Sequence, residues 1–334
     1  MPNIKKIIND PRNVVPELIQ GMVEAYNGRV QLIPSGFGFA KTEIPNGKVA
    51  LLIGGGSGHE PLFHGYVGDN MADGAACGYI FTSPTPDVVL EATRAVHRGS
   101  GVLYLYGNYE GDNLNFDMAA ELADAESIRV QTVRIWDDIA SAPPERPQER
   151  RGVAGDIFII KIAGAAAATL NTLDEVVRVT TKARDNTRTL GVAVKAGSLP
   201  ESGKPTFDLG EDEIEIGMGV HGEPGVSREK LVPADALTEK MMNMLLADMP
   251  FQRGDEVCLL LNDLGATTQM ELLIVNRKVR EILRAREIQV YDTLIGKFAT
   301  TQEMAGFSIT LMKLDDELKT YYDMPCRSLG LTKY

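Results

Sequence analysis

Two apolar runs, KVALLI at 48–53 and GVLYLY at 101–106, constrain this chain more than any other feature. A strand with one wet face alternates apolar and polar residues, whereas a strand covered on both faces reads as a continuous apolar run. Between the two runs lies TSPTPDVVLEATRAVH, in which Thr85 precedes Pro86 and predicts a capped helix. After the second run, GNYEGDNLNF reads as a loop, DMAAELADAE as a helix and IRVQTVRI as a strand. Buried strands alternating with helices imply a largely parallel sheet with helices on both faces. Such sheets bind ligands at the carboxyl ends of their strands. The segments 54–61 (GGGSGHEP) and 107–116 both fall at such ends, and both are read here as loops.

The rest of the chain divides by pattern. Asp10 and Pro11 open a helix whose stripe is Val14, Val15, Leu18, Ile19, Met22 and Val23. The stretch 136–152 is polar and proline-rich, a surface loop before a long apolar helix. Near residue 190 the pattern changes to strands with glycine and proline turns, followed by a helix at 236–248, the strand EVCLLLN and a further helix and strands. With 334 residues, more than one core usually serves, the expectation is two α/β domains, 1–189 and 190–334. The first has a largely parallel sheet and the second a mixed or antiparallel one.

A formal charge of −12 argues against nucleic acid or an anionic membrane as the main partner. Cys77, Cys258 and Cys326 are scattered without a CxxC, as in a reducing compartment without structural zinc. The N-terminus lacks the apolar core of a signal peptide, and the apolar stretch interrupted by Lys161 is too short to span a bilayer. The expected location is the cytoplasm.

Three segments carry possible chemistry. GGGSGHEP lacks the Lys-Ser/Thr of a Walker loop and has His59 where a dinucleotide fingerprint needs its third glycine. Its glycines instead suggest close backbone approach to something, with His59 beside it. The loop alone does not separate a ligand-facing histidine from a structural one. EIEIGMGVHGEPG (213–225) alternates with period two. Ile214, Ile216, Met218 and Val220 share one face, and Glu213, Glu215, Gly217, Gly219 and His221 the other. That places His221 over a face cleared by glycines, or else simply on an exposed edge strand. In GNYEGDNLNF, Asp112 suits an N-cap or Asx-turn, and alternatively a general base. His64 and His97 have no supporting context.

Together these residues resemble the ketone-binding K subunit of dihydroxyacetone kinases. The likeness runs nearly end to end: KKIINDPRNVVPE, GKVALLIGGGSGHEP, FTSPTPD, NYEGDNLNF, RRGVAG, GKPTF, GVHGEPG, LNDLGAT and GFSITLMKLDDE. The resemblance implies a DhaK/DegV-like fold and a phosphotransferase in which His221 bonds covalently to the carbonyl carbon of a short-chain ketose as a hemiaminal. A neutral imidazole nitrogen is a competent nucleophile for that step. It further implies that His59 assists proton transfer and orients the substrate, and that Asp112 takes the proton of the attacking hydroxyl. Gly56, Ser57, Gly58, His59, Gly107 and Asp112 would contact the ketose. No cofactor or metal is expected on this chain. ATP or ADP with magnesium would sit on a separate L subunit, in some systems rephosphorylated by a phosphotransferase-system protein, and a homodimer is typical. One departure is Gly107 and Glu110 where the triose-specific pattern reads KNYTGD. Loss of the lysine points to a larger ketose such as erythrulose or apulose as the alternative substrate. A ketose-sensing coactivator and a fatty-acid-binding protein are the readings from other classes. Retention of His59 and Asp112 speaks against the first, and His221 is superfluous to the second.

Overall fold

The computed structural model describes residues 5–334. The chain forms two compact units. Unit 1 holds the chain up to Ile135, then Phe158–Ala183 and Leu318–Tyr334, and unit 2 holds Trp136–Ile157 and Arg184–Glu317. A single cut between 189 and 190 does not reproduce these units. Position 190 lies inside one strand, Thr187–Lys195, and the last helix belongs to unit 1 from Leu318 onward.

Unit 1 opens with a short 3₁₀ turn, Pro11–Asn13, in which Asp10 accepts from the Arg12 amide. Helix α1 (Val14–Ala25) follows and buries Val15 and Ile19, the centre of the expected stripe. Strands β1 (Val30–Leu32) and β2 (Gly38–Lys41) make an antiparallel edge pair. Then come β3 (Ala50–Ser57), β4 (Gly74–Ile80), helix α2 (Pro86–Val96), β5 (Val102–Gly107), helix α3 (Glu110–Ala125) and β6 (Val130–Ile135). The sheet order is β1-β2-β4-β3-β5-β6, and β4, β3, β5 and β6 run parallel. Every residue of β3 and β5 is buried, as their unbroken apolar runs require. Each buried Leu, Ile or Val there contributes about 1.5–3 kcal/mol. Helix α4 (Asp156–Thr169) is apolar all round, and its Lys161 is buried. Burial pulls the Lys161 ammonium down to about 8, and Nζ donates to the Tyr321 carbonyl at 2.7 Å. Helix α5 (Leu173–Asp185) ends this stretch.

Unit 2 contains β7 (Thr187–Lys195), β8 (Glu213–Ile216), β9 (Ser227–Lys230), α6 (Ala234–Asp248), β10 (Glu256–Asp263), α7 (Gln269–Ala285), β11 (Gln289–Gly296) and β12 (Ala305–Leu314). The sheet order is β11-β10-β12-β7-β8-β9. The β10–β11 pair is parallel and the other pairs are antiparallel, so the sheet is mixed. Leu237, Met241 and Leu245 of α6 and Leu272, Val279 and Leu283 of α7 pack into its core. Thr268 and Glu271 form a reciprocal capping box at the start of α7. The chain returns to unit 1 with α8 (Asp316–Asp323) and the small pair β13 (Cys326–Arg327) and β14 (Thr332–Lys333). Among the described residues no helix is long and apolar enough to cross a membrane.

Candidate active site

In unit 1, the connection from β3 leads to β4 on one side and that from β5 leads through α3 to β6 on the other. The carboxyl ends of β3 and β5 therefore flank the topological switch point, where open parallel sheets leave a crevice. Gly56, Ser57, Gly58 and His59 stand at the end of β3 or just after it. Gly107 closes β5, and Asp112 lies two residues into α3. The sheet thus brings these six predicted residues to neighbouring strand ends.

Two local expectations change. The glycines at 54–56 are not loop residues but the buried end of β3. The space they leave is filled by the protein itself. A Cβ on Gly54 would meet Phe116 at 2.9 Å, one on Gly55 the Phe63 ring at 2.3 Å, and one on Gly56 the Thr82 backbone at 2.7 Å. Close approach is the right reason for these glycines, but the approaching groups are side chains and backbone of unit 1. Likewise, of 107–116 only Asn108 and Tyr109 are loop, because β5 ends at Gly107 and α3 starts at Glu110. Asp112 is then on the same helix face as Phe116, one turn on. Phe116 stacks on Tyr106 at 4.3 Å between ring centroids and seats that turn on the sheet. An acid in the first turn of a helix also steadies the helix by about 0.3–1 kcal/mol, so Asp112 has a structural role whatever else it does.

His59 is 4% exposed and its ring lies against Phe81, 4.8 Å between centroids. Glu60 Oε1 accepts from the Gly58 amide at 2.8 Å. His64, given no role by its sequence context, proves to be a buried partner of Ser57. Ser57 Oγ donates to the Gly78 carbonyl at 2.7 Å, and His64 Nε2 is 3.1 Å from the same oxygen. With its single proton committed, the hydroxyl accepts from Nε2–H. That leaves His64 Nδ1 unprotonated, and it has no hydrogen-bond partner among the described residues. Burial drives the His64 imidazole down to about 4, so it is neutral.

His221 belongs to unit 2. The period-two pattern holds through Ile216 and stops there. Gly217 adopts φ +78° and turns the chain, so His221 sits in a turn rather than on a strand. Nor do the glycines leave an empty face. A Cβ on Gly217 would strike Ala140 at 2.3 Å, and one on Gly219 would strike Glu223 at 2.2 Å and Arg151 at 2.3 Å. Glu215, on the face opposite Ile214 and Ile216, is buried, accepts from the Gly225 amide and pairs with Arg228. The turn is closed by the Gly219 amide on the Glu223 carbonyl, 3.0 Å.

Glu223 governs the histidine. Its Oε2 accepts from the His221 amide at 2.9 Å, and its Oε1 is 3.0 Å from His221 Nδ1. Burial alone would push the Glu223 carboxyl up, but the bonds from His221 outweigh it and hold the group at about 2. A permanent carboxylate at Nδ1 favours the tautomer of the neutral ring that carries its proton on Nδ1 and its lone pair on Nε2. The His221 side chain is 27% exposed, so solutes reach it. Behind the turn, Arg151 donates through Nε to Asp138 at 2.9 Å and through Nη2 to the Gly217 carbonyl at 3.0 Å. Its Nη1 stands 3.9 Å from Glu223. Arg150 is fully buried and grips Asp248 with both terminal nitrogens. The two arginines of RRGVAG are thus a frame for the unit and for the His221 turn.

A model of the Dak1 domain matches residues 20–330. The chain belongs to the Dak1 family. It is 44% identical, over 97% of its own length and 98% of the relative's, to the dihydroxyacetone-binding subunit of PTS-dependent dihydroxyacetone kinase 2 of Listeria innocua. It is 41% identical over 96% of its length to D-erythrulose kinase of Mycolicibacterium smegmatis, of which it covers 55%. Among solved structures it is similar to the dihydroxyacetone kinase operon co-activator Dha-DhaQ. There the TM-score is 0.90 and the identity 31%, with 96% of this chain and 98% of that chain covered. A fatty-acid-binding DegV family protein from Thermus thermophilus shares the fold alone, with TM-score 0.51 and 11% identity over 80% of this chain and all of that one.

Within this Dak1 chain, sequence reasoning missed His64, Glu223 and Arg151. A signal existed for Glu223, an acid two residues from a histidine inside a glycine-rich turn. None existed for His64, whose partner is a serine seven positions earlier on a buried strand.

Proposed function

We infer that this chain is the ketose-binding subunit of a cytoplasmic dihydroxyacetone kinase. The observation that carries the reading is the Glu223 carboxylate on His221 Nδ1 in a chain of the Dak1 family. The Nε2 lone pair attacks the carbonyl carbon, forming a C–N bond as the C=O π pair moves to oxygen. The oxygen gains a proton, the ring gives up the one on Nδ1, and the product is a neutral hemiaminal. Glu223 stabilises the positive charge that the ring carries in between. A polyol without a carbonyl cannot be held in this way. His59 orients the substrate and assists the proton transfers. Asp112 receives the proton of the terminal hydroxyl as that oxygen attacks phosphorus. Backbone groups around Gly56 and Ser57, with Gly58 and Gly107, meet the ketose hydroxyls. A nucleotide with magnesium, held on a separate L subunit and fed by a phosphotransferase-system protein, supplies the phosphoryl group. The subunit itself is a homodimer.

A second reading, a larger ketose, is favoured by Gly107 and by the similarity to D-erythrulose kinase. The test is phosphorylation of dihydroxyacetone, erythrulose and apulose by this chain with a charged L subunit. Product that depends on this chain and vanishes in His221→Ala supports the inference, and the preferred ketose names the substrate. No product from any of the three contradicts it.

A further inference from the structure

Unit 2 carries a second feature that the ketose chemistry does not use. At the end of α7, a cavity of about 450 Å³ is lined by Arg253, Arg280 and Arg284, with Glu287 as its one acidic residue. On a chain of charge −12 this is a local excess of positive charge. Arg253 pairs with Glu287 at 2.6 Å. The guanidinium groups of Arg280 and Arg284 form no ion pair or hydrogen bond with any described residue, although α7 also carries Arg277 and Lys278, both of which are paired with acids. Arg284, in the last helical turn, offsets the helix dipole. Arg280, a turn further in, is half-buried and lies too far from the helix end for that.

We propose that this cavity binds a small phosphate ester. Arg280 and Arg284 are four residues apart and so project from one face of α7. Their planar forks present paired N–H donors suited to phosphate oxygens, and a dianion matches two uncompensated guanidinium groups. Arg253 approaches from the loop after α6 and can exchange Glu287 for the ligand. The volume exceeds that of a bare phosphate and falls in the range of small-molecule sites. Leu283 and Ile288 supply an apolar lining against which a short carbon chain packs.

The probe is glycerol 2-phosphate, which has no carbonyl and so cannot form an adduct at His221. Binding is followed by calorimetry and by thermal shift at constant ionic strength, with sodium chloride as the matched control. The wild type and His221→Ala are expected to bind it equally. The double variant Arg280→Gln/Arg284→Gln is expected to keep the ligand-free melting temperature and to bind at least tenfold more weakly, about 1.4 kcal/mol. Equal binding by the double variant overturns the proposal, as does a shift no larger than that of chloride. Binding of polyglutamate without binding of the ester assigns the groove to an acidic protein partner and overturns it as well.

Discussion

Lowering the pH from 7 to 5 should weaken unit 1 through one histidine. His64 is fully buried and its imidazole is held down to about 4, against an ordinary value near 6.5. Because the folded value lies below the unfolded one, the unfolded chain takes up a proton first as pH falls. Stability is therefore lost between about pH 6.5 and 4, and the loss levels off below that. The linkage costs about 2 kcal/mol at pH 5 and about 0.2 kcal/mol at pH 7, with a ceiling of about 3.4 kcal/mol. Buried Asp137 in unit 2 acts in the opposite sense. Burial raises its carboxyl to about 6, so acid favours its folded form by about 1 kcal/mol over the same range. The His64 contribution is isolated by comparison with His64→Gln, whose amide still donates to Ser57 Oγ but does not titrate. Amide exchange within β3 reports on unit 1, whereas the sole tryptophan, Trp136, reports on unit 2. The difference between pH 7 and pH 5 should be about 2 kcal/mol smaller in His64→Gln. Identical pH dependence in the two proteins would refute a neutral, buried His64.

Further outcomes follow from the site. Glu223→Gln replaces the carboxylate at Nδ1 by an amide that can donate to it and move the ring proton to Nε2. Ketose adduct at equilibrium should drop roughly ten- to a hundredfold, about 1–3 kcal/mol, by mass spectrometry. Asp112→Asn should leave adduct formation intact while phosphoryl transfer slows roughly a hundred- to ten-thousandfold in a coupled assay. Asp248→Asn removes the charge that both Arg150 and Arg188 grip. It should cost unit 2 about 3–5 kcal/mol in denaturant unfolding.

The parallel sheet of unit 1 was legible because β3 and β5 are buried on both faces and so cannot hide in a mixed pattern. Helix α2 was legible through Thr85 and Pro86, which stand at its N-terminus. The fate of GGGSGHEP was not, since glycine is equally at home in a loop and under an aromatic ring. Only the tertiary arrangement brings Phe116, Phe63 and Thr82 against Gly54, Gly55 and Gly56. The alternation after Glu213 misled for a related reason. Gly217 and Gly219 fit a period of two, yet one turns the chain and the other admits Glu223 and Arg151. The division into units was hidden because Phe158–Ala183 and Leu318–Tyr334 join unit 1 from distant parts of the chain, and local pattern carries no such information. His59, Asp112 and His221 were singled out from the sequence, but the carboxylate that sets the His221 tautomer emerged only from the turn geometry.

The proposed covalent role of His221 is tested most directly by intact mass spectrometry, under non-denaturing conditions, of the chain mixed with dihydroxyacetone, erythrulose or apulose. One ketose should add a single adduct to the wild type, and His221→Ala should show none. Absence of an adduct with every ketose, or an adduct that persists in His221→Ala, would contradict the hemiaminal.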